Sequence, residues 1–243
     1  VARGARIRNE GGSLVQIDPF YENLCLREKG TVRTSAFGAS GAAANAGVAT
    51  IQLAGCNEPL LMIRCNGVFV GLRSRNQVGG TYTWQLIASS PVVDIEYWVF
   101  DTTDVAQMAF LTSRGMRIRN PNNARVVFDS RYKYMRVLSM INTAVGTGGQ
   151  PYPVPITSGF AVGFANASLS TIIAGGPISG GSFWLFQVTV QVAGFMTTNS
   201  GEIQCRAITI NSFTNEGQGT PPYGGGIIGS LSAMALICDI RNY

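Results

Sequence analysis

Apolar and polar residues alternate with a period of two through much of the chain, the pattern of strands with one buried face. Thr81–Ala88 sets Tyr82, Trp84 and Leu86 on one face against Thr81, Thr83 and Gln85. Val93–Phe100 sets Val93, Ile95, Tyr97 and Val99 against Asp94, Glu96 and Trp98. Ser182–Val192 places Trp184, Phe186, Val188, Val190 and Val192 opposite Gln187, Thr189 and Gln191. Val48–Leu53, Gly159–Ala165, Leu169–Ala174, Glu202–Phe213 and Ser232–Ile240 read as further strands. Leu60–Cys65 and Val68–Leu72 flank Asn66-Gly67, the dipeptide that a two-residue type I′ hairpin requires. Ala36–Gly47, Thr143–Pro155 and Thr214–Gly226 are rich in small, Gly or Pro residues and read as loops. Asp101–Arg114 reads as a boundary segment with one helical turn, and no segment keeps a helical period beyond about ten residues.

One pattern occurs twice. Gly4–Leu26 reads GARIRNEGGSLVQIDPFYENLCL and Gly115–Val137 reads GMRIRNPNNARVVFDSRYKYMRV. At a constant offset Arg6, Ile7, Arg8 and Asn9 match Arg117, Ile118, Arg119 and Asn120, while Asp18 matches Asp129 and Tyr21 matches Tyr132. Unrelated windows of this length share roughly one or two identities, so the repeat implies internal duplication. Each copy reads as strand, turn, strand, with Asn9-Glu10-Gly11-Gly12 and Asn120-Pro121-Asn122-Asn123 as turns. The expected fold is all-β, with two duplicated antiparallel β-sandwich-like lobes, 1–112 and 113–243, each opening with a β-hairpin. The pairs Ile7/Ile118, Val15/Val126, Ile17/Phe128 and Leu24/Met135 are expected at equivalent inward positions.

Composition changes this picture in one respect. Charged residues make up only 13% of the 243, against a usual quarter, with 30 glycines and a mean hydropathy of +0.18. Much of the surface must then be uncharged, as in a subunit buried in an assembly, and a homo-oligomer is expected. The net charge of +5 comes from dispersed Lys and Arg, with neither a basic stripe nor interleaved aromatics, so nucleic acid is not an expected partner. Arg6, Arg8, Arg117 and Arg119 have two open readings, contacts to an acidic neighbour or charges that protect strand edges. Cys25, Cys56, Cys65, Cys205 and Cys238 are odd in number without C-x-x-C spacing, and read as buried free thiols made in a reducing cytoplasm.

Candidate chemistry is sparse. The chain has no histidine, which removes Ser-His-Asp and Cys-His sites, and no cysteine cluster has metal-ligand spacing. The carboxylate pairs Asp94/Glu96 and Asp101/Asp104 read as solvated, so no catalytic residue, cofactor or metal is expected. Asp18 and Asp129 close a strand and are expected to bond the backbone of the next turn. No export signal follows the basic VARGARIRNE, and the longest apolar run, Ile227–Cys238, is too short for a spanning helix, so membrane insertion is not expected.

The doubled motif, G-x-x-I-x-N, a turn, V-x-[IF]-D and then x-x-Y, resembles the opening of small virion proteins encoded in the tail and tail-fibre region of long-tailed bacteriophages. The resemblance covers about 25 residues in each half. It implies a structural component of the tail tip, baseplate or tail fibre, assembled in the host cytoplasm as a symmetric oligomer, with a trimer favoured and other tail proteins as partners. It transfers no catalytic residue. A head decoration or head-fibre protein is an alternative. So is a module that binds a host envelope glycan, for which Trp98, Tyr152 and Tyr223 are the candidate contacts.

Overall fold

The computed structural model describes residues 5–8, 14–17, 23–37, 45–106, 114–165, 169–178, 183–218, 226–228, 231–241 and 243. In chain order its strands are β1 (Ala5–Arg8), β2 (Leu14–Ile17), β3 (Cys25–Arg33), β4 (Ser35–Ala36), β5 (Gly47–Leu53), β6 (Leu60–Arg64) and β7 (Val70–Val78). Next come β8 (Thr81–Ala88), β9 (Asp94–Asp101), β10 (Arg117–Arg119), β11 (Val126–Asp129), β12 (Arg136–Ala144) and β13 (Gln150–Pro153). The last are β14 (Phe160–Phe164), β15 (Leu169–Ile178), β16 (Phe183–Thr197), β17 (Glu202–Gln218), β18 (Gly226–Ile228) and β19 (Ser232–Asp239). The fold is all-β, with no helix among the described residues and antiparallel pairing between the strands.

Two small hairpins, β1-β2 and β10-β11, accompany two large sheets. The first sheet has the order β12-β19-β14-β6-β9-β3. The second runs β13-β17-β16-β7-β8-β5-β4, with β15 beside β16 and β18 beside β15. Alternation decides which side chains meet between them. Leu61, Ile63, Ile95, Val99, Val162 and Ile237 from the first sheet share one buried cluster with Ile51, Leu72, Trp84, Leu86, Phe195 and Ile203 from the second. Each such side chain contributes about 1.5–3 kcal/mol by leaving water. Both sheets and this core draw on both sides of residue 112, so the sequence division does not coincide with a division between sheets.

The registers nevertheless relate the halves. β3 and β12 are nine residues each and begin at Cys25 and Arg136, the same offset that separates Gly4 from Gly115. Cys25 stands opposite Asp101 on β9, and Arg136 opposite Asp239 on β19. Each ladder shifts register at the same point, between Leu26 and Glu28 in one and between Val137 and Ser139 in the other. At the middle of the sheet Met62 faces Gly163, and the order outward is β6-β9-β3 on one side and β14-β19-β12 on the other. A local twofold thus relates the halves of this sheet. Large side chains cannot occupy both positions at its centre: Met62 is fully buried, and a Cβ on Gly163 would lie 2.2 Å from its sulfur.

Several expectations are corrected. Asn66-Gly67 does not close a hairpin within one sheet, because β6 belongs to the first sheet and β7 to the second. Gly67 has φ +76, and Asn66 bridges to Thr197, so the dipeptide turns the corner between sheets. Part of Thr143–Pro155 is strand β13, an outermost strand on which Pro151 and Pro153 alternate with residues that keep their N–H groups. Thr214–Gln218 continues β17, and Gly217 there is required because a Cβ would lie 2.3 Å from the Trp184 ring. Thr102–Ala106 forms turns rather than a helix; residues 107–113, like 38–44 and 219–225 of the expected loops, lie outside the described residues.

Candidate functional site

The second copy of the repeat is built around one carboxylate. Asp129, 1% exposed, ends β11 and receives Arg131 Nε at 2.8 Å, Arg131 Nη2 at 2.6 Å, Arg117 Nε at 2.7 Å and the Arg131 backbone N–H at 3.1 Å. These bonds, those of Arg131 first, hold its carboxyl well below the usual carboxylate range. The expected bond to the following turn is present. The inward face is not the expected one, since Val127 and Asp129 are buried while Val126 and Phe128 are half-buried. Phe128 instead stacks on Tyr134, with centroids 4.9 Å apart. Ile118 faces Phe128, whereas Ile7 faces Val15, so the two copies form one motif in registers two positions apart.

The other repeat residues serve the same local structure. Arg119 Nη1 donates to the Ala124 carbonyl at 2.8 Å, and Asn120 Oδ1 accepts from the Asn122 N–H at 2.9 Å. The Tyr132 N–H donates to the Asp129 carbonyl at 3.0 Å. Arg117 and Arg119 are thereby committed within their own hairpin. Arg6, Ile7 and Arg8 lie on β1; Asn9, Asp18 and Tyr21 lie outside the described residues, as does Tyr223.

Of the aromatic candidates, Tyr152 packs half-buried against the main core and donates its hydroxyl to Gln150 Oε1 at 3.0 Å. Trp98, named as a candidate surface contact, is only 7% exposed. It lies on the outer face of the first sheet, where a third layer that includes Leu24, Met135 and Tyr243 partly covers it. Its indole N–H has no partner among the described residues.

Trp98 lines a cavity of about 440 Å³, within the ~300–1,000 Å³ of small-molecule clefts. Lys29, Thr31, Arg64, Glu96, Tyr97, Arg241 and Tyr243 complete its polar and aromatic lining, with Gly159 at one wall. The strands fix this set: Lys29 pairs with Trp98 and Thr31 with Glu96 across β3-β9, and Arg64 pairs with Glu96 across β6-β9. Arg64 lies 5.6 Å from the Trp98 ring centroid and donates through Nε to Glu96 at 2.7 Å. Arg241 is held by Asp239 at 2.8 Å, and burial pushes the Tyr243 phenol up to about 12. A second cavity of about 100 Å³ adjoins, sharing Arg64 and Gly159 and otherwise lined by Asn66, Thr157, Ser158, Phe160, Thr197, Thr198 and Asn199.

The carboxylate pairs named from the sequence are spoken for. Asp94 meets Arg33 at 3.5 Å, Glu96 meets Arg64, and Asp104 meets Arg125 at 2.8 Å. Asp101 accepts the backbone N–H groups of Asn57, Glu58 and Thr102. Sequence reasoning missed Lys29, Arg64 and Arg241; of the three only Arg64, in the run LLMIRCNG, stands out as a lone charge in apolar surroundings. No protein-family model, characterised protein or solved structure matches the chain.

Proposed function

We propose that the protein is a structural component of a bacteriophage virion, of the tail tip, baseplate or tail fibre, made in the host cytoplasm and assembled as a symmetric homo-oligomer. The doubled motif supports the phage setting and the favoured trimer. The observation that best supports assembly is the outermost strand β12. Val137 and Met140 on it are 51% and 61% exposed, and Met234 on its neighbour β19 is 40% exposed. Their register puts all three on the outer face, and only Arg136 on β12 is charged.

The other edge of the same sheet is different. β3 carries Arg27, Glu28, Lys29 and Arg33, the charges with which an edge strand discourages pairing. Under the local twofold Met140 corresponds to Lys29, Met234 to Glu96 and Leu236 to Trp98. One half of the outer face is thus a charged cleft and the other an exposed apolar strip, suited to a sister subunit. The test is antibody labelling of virions, with label expected at the tail tip, baseplate or fibre. Label confined to the head overturns the tail placement.

A further inference from the structure

We propose that the two adjoining cavities around Arg64 form a binding groove for an acidic oligosaccharide, a chain of sugars bearing carboxylates. This develops the host-glycan-binding module that stands as an alternative under the resemblance, and rests on that reading for its biological setting only.

The argument begins with uncommitted charge. Arg64 uses Nε for Glu96, and its two terminal nitrogens have no partner among the described residues. That leaves a planar fork of the kind that takes a carboxylate through two parallel bonds, on a guanidinium already fixed by Glu96 and by the Trp98 ring. Lys29, exposed and unpaired among the described residues, supplies a second cation on the same face. Arg241 contributes less, because Asp239 neutralises it.

Saccharide chemistry follows from the rest of the lining. The smaller cavity offers hydroxyl and amide groups of Asn66, Thr157, Ser158, Thr198 and Asn199, suited to the alternating donors and acceptors of a sugar. Glu96 is a carboxylate that accepts hydroxyls and repels a densely phosphorylated ligand, which selects against nucleotides and polyphosphates. Tyr243 and Trp98 give the larger cavity an apolar side for the C–H face of a ring. Because Arg64 and Gly159 belong to both cavities, a ligand with its carboxylate on Arg64 reaches both. Gly159 has φ +68, and a Cβ there would lie 2.2 Å from Arg241 Cγ, so a larger residue would drive the Arg241 side chain from its place at the cleft.

The experiment is calorimetric titration of the full chain with a hexuronate tetrasaccharide, its carboxyl-reduced neutral counterpart, and an oligoglutamate peptide of equal charge. Binding of the hexuronate is expected, at least tenfold weaker in Arg64→Gln and about threefold weaker in Lys29→Met, and unchanged in Met140→Lys on the opposite half of the face. The neutral sugar and the peptide are expected to bind at least tenfold more weakly than the hexuronate. Circular dichroism establishes that each variant is folded. If R64Q does not fold, a carboxylate-dependent change in Trp98 fluorescence, lost in Trp98→Phe, supplies the second readout. No hexuronate binding at millimolar concentration overturns the proposal, as does equal binding of the neutral sugar or the peptide, or wild-type affinity in folded R64Q. Isolated envelope polysaccharide and secreted polysaccharide, tested as separate competitors, identify the source of the sugar. Failure of virion labelling leaves these titrations standing, so the two readings fail separately.

Discussion

The backbone N–H of Met135 donates to the carbonyl of Leu24 at 2.9 Å, and these two residues hold equivalent places in the repeated segment. The Leu26 N–H donates in return to Lys133 at 2.7 Å, and Cys25 bridges to Tyr134. The exits of the two copies therefore cross each other antiparallel before β3 and β12 diverge to opposite edges of one sheet. This crossing ties the halves together where the chain alone would leave them 111 residues apart, from Leu24 to Met135.

The same twofold gives a prediction at its centre. Gly163→Ala forces Met62 aside in a fully buried setting and is expected to cost about 1–3 kcal/mol. Met62→Ala alone should cost about 2–5 kcal/mol. The double variant should cost measurably less than the sum, because the new methyl enters the space that Met62 left. Urea unfolding of the four proteins checks this, and strict additivity argues against the facing pair.

Much of this architecture is legible in the chain. Alternation in Thr81–Ala88 and the 111-residue offset, from Gly4 to Gly115, anticipate strand faces and equivalent strands. What alternation cannot report is a third layer: Trp98 occupies the polar face of its strand by period yet is buried, because Tyr243 and Leu24 come from distant parts of the chain to cover it. Asn66-Gly67 signals a tight reversal but not whether the following strand stays in the same sheet. The groove is the least legible part, since Lys29, Arg64, Glu96 and Arg241 sit on four separate strands or loops and meet only through register.

Asp129 sets an acid limit on stability. Its folded carboxyl is held below the ordinary value, so the stabilisation is complete above the unfolded pKa near ~3.9 and is lost as pH falls through the depressed value. Asp129→Asn is expected to cost about 1–3 kcal/mol at pH 7, a range reduced from that of fully buried pairs because Arg117 is partly exposed. The difference should shrink steadily as pH falls below ~3.9 toward 2. Thermal melts from pH 2 to 7 test the sign, and a constant gap at every pH contradicts it.

Thiol chemistry offers an independent check on the core. All five cysteines are free and buried, and burial pushes Cys65 up to about 11 and Cys205 and Cys238 up to about 12. Native protein at pH 8 should react slowly with a thiol reagent, and denatured protein should take up five equivalents with or without prior reduction. Fewer equivalents without reductant would mean that a disulfide exists.

The two halves of the outer face supply the decisive test of assembly, because each shows what the other becomes with different side chains. Met140 and Met234 correspond to Lys29 and Glu96, so Met140→Lys with Met234→Glu rebuilds the charged surface on the apolar half without altering the backbone. Both side chains are exposed, at 61% and 40%, and the subunit itself should lose no more than about 0.5 kcal/mol of stability. A sister subunit seated on the strip would instead have to accept charge in place of apolar contact, in an interface expected to bury more than ~1,000 Å². Wild-type protein is expected to scatter light as an oligomer, with three times 25.8 kDa favoured, and the double variant as a 25.8 kDa monomer of unchanged melting behaviour. A wild-type chain that stays monomeric at micromolar concentration, alone and with tail proteins added, removes the assembly reading. An oligomer that survives the double substitution moves the interface away from β12.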